Sequence, residues 1–127
     1  MTPFLRTLSL SVVVLASTPA FSSEGIEFFE SRIRPVLAQD CYECHNSNGK
    51  AKGRLILDHR EPMMKGGTSG PVIIPGNADE SLLIQAIRHE FEDLEMPKAG
   101  VMLDDAIIAD FVQWVNMSAP DPRDAPP

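Results

Sequence analysis

Cys41 and Cys44 are the only cysteines of this 127-residue chain, and His45 follows the second of them directly. Two thiols separated by two residues can reach the two vinyl groups along one edge of a haem. The next residue is then placed to send an imidazole beneath the iron, so Cys-x-x-Cys-His is the spacing of covalent c-type haem attachment. A neutral imidazole nitrogen binds iron in both oxidation states, which makes His45 the candidate proximal ligand of one haem c. Three other chemistries use such a pair. A thioredoxin-like dithiol needs a strand–helix–strand context and gives His45 no role. A four-ligand zinc site lacks further cysteines, and His59 and His89 do not stand at a finger-like spacing. A plain disulfide stays open, although a bridge across so short a loop restrains little of the unfolded chain.

The sixth iron ligand must come from elsewhere, and the candidates are Met63, Met64, Met96, Met102, Met117, His59 and His89. Methionine in a small domain more often fills core gaps than binds metal. Met117 falls at the end of the last predicted helix, and Met63 and Met64 fall in the predicted glycine-rich loop. Met96 is preferred because it stands in a loop between two predicted helices, with Pro97 biasing its backbone towards an extended form. Met102 is the nearest rival, and an open site is a further alternative. His89 would give a bis-histidine iron of lower potential, since a thioether favours the ferrous state more than a second imidazole does.

The elements that must position these residues are mostly helical. Phe29, Ile33, Val36 and Leu37 recur at helical spacing within residues 26–38, which predicts a first helix ending just before the attachment motif. Pro35 lies inside it and must bend or restart it. Residues 46–76 are rich in Gly, Lys and Pro. Their apolar runs at 55–57 and 72–74 predict short strands or extended segments that could pair. Asn77 and Glu80 have capping-box spacing, and Leu82, Leu83, Ala86 and Ile87 continue a second helix to about His89. A last helix starts with Asp104 as its cap and carries Ile107, Ile108, Phe111, Val112, Trp114 and Val115. The fold class predicted is all-α, with about three main helices around one haem and an irregular or short-hairpin segment after the motif. Beyond Met117 the sequence SAPDPRDAPP reads as a linker or frayed end that cannot pack.

At the other end, Arg6, the apolar run of residues 8–16 and the small residues Thr18 and Ala20 read as an export signal. The run is too short to span a bilayer, so no stable membrane insertion is expected once it is removed. Residues 1–22 are thus a predicted signal, 24–119 the domain and 120–127 the tail, with a periplasmic or otherwise exported destination. Removing residues 1–20 takes away one cation and no acid, which moves the net charge from −7 to −8. Such an acidic surface repels nucleic acid and suits redox partner proteins with basic patches. No catalytic constellation accompanies the motif, and the sequence predicts a carrier and not an enzyme.

With these motifs in place, the chain resembles class I cytochromes c, and more closely the planctomycete-type cytochrome c domain. The resemblance covers about residues 26–120. It rests on FFESRIRPVLAQDCYECH (28–45), SGPVIIPG (69–76), SLLIQAI (81–87), Met96-Pro97 and the closing helix with Trp114-Val115. It implies haem attachment at Cys41 and Cys44, axial ligands at His45 and Met96, and one-electron transfer. Members of that family commonly continue into large domains, so a free-standing carrier and a detached front domain are both compatible with it. A haem-based ligand-binding or sensing domain and a haem-bearing interaction module are the alternatives.

Overall fold

The structure is a computed structural model that describes residues 11–15, 21–98 and 101–127. Most of the predicted export signal, including Thr18 and Ala20, lies outside the described residues. Val12, Val13, Val14 and Leu15 are exposed and take no part in the core.

The chain enters the domain at Ser22, whose hydroxyl accepts from the Gly25 N–H and caps the leading helix. That helix then runs without a break over residues 23–41. It is α-helical at Ser23–Phe28 and Arg34–Val36, and opens into wider π turns at Phe29–Ile33 and Leu37–Cys41. Pro35 neither restarts nor ends it. The flanking i→i−5 turns absorb the missing N–H, and widened turns of this kind are frequent at functional sites. Phe29, Ile33 and Leu37 form its fully buried stripe, as their spacing predicts, and Val36 is half-buried. The last π turn hands the chain directly to the cysteine motif, with Tyr42 N–H donating to Leu37 O at 3.0 Å.

Among the described residues no strand forms, and the 55–57 and 72–74 runs do not pair with one another. Each instead donates or accepts elsewhere: Leu57 N–H bonds His45 O at 3.0 Å, and Leu83 N–H bonds Val72 O at 2.9 Å. The short helix Arg60–Lys65 lies between them and buries Met63. The predicted capping box also shifts. Asn77 Oδ1 does accept from Glu80 N–H, but at a turn, and the helix itself is Leu82–Ile87 with Ser81 at its cap. The Ser81 hydroxyl bridges Ile74 N–H and Asn77 O, so this buried serine ties the turn to the helix start.

The closing helix Asp105–Asn116 buries Ile108, Phe111, Trp114 and Val115 against the leading helix. Asp104 is at its cap position but makes no side-chain capping bond. Trp114, fully buried, meets Phe29 at 5.7 Å and Phe111 edge-on at 6.1 Å between ring centres.

The expectation for the tail is corrected by the structure. Ser118 and Ala119 take left-handed backbone conformations, with φ of 71° and 51°, and turn the chain back onto the domain. Pro120 O then accepts from Trp114 Nε1–H at 2.8 Å, and Asp121 and Arg123 are 1% and 5% exposed. A proline-rich segment packs here because a buried ion pair and a tryptophan, not an apolar stripe, supply its contacts.

Candidate functional site

A cavity of about 440 Å³ opens between the attachment motif and the helix Leu82–Ile87. Cys41, Cys44 and His45 form one wall. Leu55, Leu57, Val72, Leu82, Leu83, Ala86 and Ile87 make it predominantly apolar, Asp40, Lys52 and Lys98 add charge to its lining, and Met96 and Pro97 line it as well. The folding reasons are local. The second π turn delivers Cys41, and a tight turn with His45 N–H on Cys41 O at 3.1 Å brings Cys44 and His45 to the same wall.

His45 is 7% exposed, and its Nδ1 lies 3.1 Å from Leu55 O. A carbonyl can only accept, so Nδ1 carries a proton, and in the neutral ring the lone pair is then on Nε2. The ring is thereby oriented as a metal-binding imidazole is, by a hydrogen bond on its other nitrogen. Neither cysteine is in a disulfide. Burial, then the charge of Asp40, then Cys44, push the Cys41 thiol up to about 12. A dithiol redox centre requires the opposite shift, since the thiolate is its nucleophile.

Of the predicted distal candidates, only Met96 lines the cavity. Its backbone is held on both sides: Met96 N–H donates to Ala86 O at 3.1 Å, and His89 Nε2 donates to Met96 O at 3.0 Å. His89 is therefore engaged with the loop that carries Met96. Met102 is 41% exposed and outside the cavity lining. Met63 is buried beside Arg123 Nη2, which lies 3.5 Å from its Sδ, and His59 pairs with Asp58 at 2.8 Å. Met64 packs against the core from a partly buried position, and Met117 ends the closing helix. Among the described residues no cluster of three or more His, Cys, Asp or Glu could hold a metal ion.

Residues 41–100 match the family model for Planctomycete cytochrome C. This stretch is a planctomycete-type cytochrome c domain. No curated protein and no solved structure gives a significant match to the chain. The cytochrome c domain implies covalently bound haem c, and the residues present fit that group. Two free thiols, an imidazole oriented through its Nδ1, and a thioether line a single apolar cavity.

Some supporting residues have no signature in the sequence. Asp58 is one. Its Oδ2 accepts from the N–H and hydroxyl of Ser47, at 2.8 and 2.7 Å, and so ties the loop after His45 to the segment that orients the ring. Burial pushes its carboxyl up, but the bonds from Ser47 and His59 outweigh this and hold it below the ordinary range. Asp58→Ala is expected to cost about 1–3 kcal/mol by stranding these donors. Because the folded value is depressed, the contribution is complete above the unfolded value and is lost as pH falls through the folded one. The gap in urea midpoint between wild type and variant should be smaller at about pH 3 than at about pH 6. An equal gap at both would contradict this role.

Proposed function

We propose that the chain is an exported one-electron carrier, with one haem c attached through Cys41 and Cys44 and ligated by His45 and Met96. The observation that carries this is the lining of one apolar cavity by all four side chains. Bound there, haem c supplies a reversible ferric–ferrous couple. Leu55 O keeps the proton of His45 on Nδ1, so that Nε2 is the donor atom. Ala86 O and His89 hold the Met96 backbone from both sides, which fixes where its thioether can be presented. Leu55, Leu57, Val72 and Leu83 exclude water and lower the local dielectric, a condition that tunes the potential. The acidic surface suits donors and acceptors with basic patches, and association should weaken as ionic strength rises.

Carbon monoxide separates this from a ligand-sensing role. A carrier with Met96 on the iron should show the methionine-to-iron charge-transfer band when ferric and resist carbon monoxide when ferrous. Rapid, complete binding to the native ferrous protein would favour the sensor.

Export has its own test. No described helix is long and apolar enough to cross a membrane. The secreted form is expected to begin between Phe21 and Gly25, because helix-capping Ser22 follows the small residues Thr18 and Ala20. Mass spectrometry of that form decides; an intact Met1 in the membrane fraction would show that the segment is an anchor.

A further inference from the structure

Among the described residues outside the cavity, Arg123 has the most heavily engaged side chain. A guanidinium has five N–H donors in a fixed fork. Here Nε and Nη2 grip Asp121 at 2.9 and 2.6 Å, Nη1 donates to Tyr42 Oη at 2.5 Å and to Leu57 O at 2.7 Å, and Nη2 also meets Met63 Sδ. The cation lies 5.0 Å from the Phe29 ring centre and 5.9 Å from that of Tyr42. Burial alone would push the guanidinium down, but Asp121 and then Tyr42 reverse this and hold it charged.

Two of these partners lead to the attachment motif. Tyr42 stands between Cys41 and Cys44. Leu57 is bonded through its N–H to His45 O, and Leu55 O, two residues earlier, accepts from His45 Nδ1. The 55–57 segment is thus held by His45 on one side and by Arg123 on the other. We propose that Arg123, with its fork set by Asp121, is a positioning residue for the His45 side of the site, acting through Tyr42 and the Leu57 carbonyl. This rests on the haem ligation given under Proposed function.

The approach of the tail is specific to this place. Two successive left-handed residues turn it, Trp114 anchors Pro120, and Gly25 leaves room for the Pro120 ring. A Cβ at Gly25 would come within 2.9 Å of Pro120 Cγ. Were the tail only a cover for the core, an apolar residue at 123 would serve, and the fork onto Tyr42 and Leu57 would have no purpose. Lysine is no substitute, since three donors on a flexible stem cannot make the five contacts.

The test uses the holoprotein with covalent haem, comparing wild type, Arg123→Lys, Asp121→Asn, Tyr42→Phe and the core control Ile108→Val. The readouts are the exchange rate of the His45 Nδ1 proton by nuclear magnetic resonance and the midpoint potential of the iron. Exchange should quicken roughly tenfold in Arg123→Lys and Asp121→Asn, and about threefold in Tyr42→Phe, which keeps the Leu57 contact. The potential should shift in the same order, and Ile108→Val should change neither. Exchange and potential like wild type in Arg123→Lys, or changes matched by Ile108→Val, overturn the inference. Should the Arg123 and Asp121 variants not fold, Tyr42→Phe decides, since it removes one hydroxyl, and unchanged exchange there overturns the proposal. A wild type without covalent haem overturns the ligation and this inference together, whereas a normal holoprotein with unresponsive variants overturns the inference alone.

Discussion

Met96→His is expected to keep a six-coordinate iron and to lower its midpoint potential by a substantial part of the roughly 0.8 V that axial ligands command. Imidazole stabilises ferric iron relative to a thioether, which sets the direction. Met96→Ala should open the site, so that the ferrous protein binds carbon monoxide and the charge-transfer band disappears. Covalent attachment should survive both changes, because Cys41, Cys44 and His45 belong to the opposite stretch of chain. Met102→Ala is the control: that side chain is exposed and outside the cavity lining, so band and potential should be unchanged. His89→Ala should weaken the band without abolishing it, since His89 donates to the Met96 carbonyl. A band that persists in Met96→Ala and vanishes in Met102→Ala would move the ligand six residues along the chain.

The largest effect on stability is expected at Trp114. It is fully buried, contacts Phe29 and Phe111 by tilted and edge-on geometry, and anchors the tail through Pro120 O. Trp114→Ala leaves a cavity at the junction of the leading helix, the closing helix and the tail, and should cost about 3–5 kcal/mol. Against a total of about 5–15 kcal/mol for a domain, that is enough to leave a sizeable unfolded fraction. Trp114→Phe keeps a ring but strands the Pro120 carbonyl, and about 1–3 kcal/mol is expected from that loss together with imperfect filling. Chemical denaturation followed by circular dichroism measures both. A cost below about 1 kcal/mol for the alanine variant would show that the helix junction does not carry the fold.

The parts of this architecture legible in the sequence are those with a period or a fixed spacing. The stripe of Phe29, Ile33 and Leu37 and the face of Ile108, Phe111 and Val115 repeat as helices do, and the Cys41-x-x-Cys44-His45 motif needs no tertiary context to be seen. Pro35 is harder to read: its rule assumes α geometry, and here π turns on either side carry the helix past it without a restart. The runs at 55–57 and 72–74 have strand-like composition, but their hydrogen bonds go to His45 and Leu83, which composition alone does not encode. The tail shows the limit most clearly. Asp121 and Arg123 sit among prolines with no helical or strand period, and their burial depends on partners up to 81 residues away, including Tyr42. Asp58 and the Leu55 carbonyl are invisible for the same reason, because their contribution to the site depends on which loop the fold brings alongside.

Whether Cys41 and Cys44 hold a haem covalently is decided by intact-protein mass spectrometry. The protein should be produced with the cytochrome c maturation machinery, extracted with acid–acetone and then weighed. The expected mass is that of the mature chain plus one haem, and the added mass should be lost in the Cys41→Ala, Cys44→Ala double variant. A wild-type mass equal to the polypeptide alone, with the pigment removed by extraction, would contradict it.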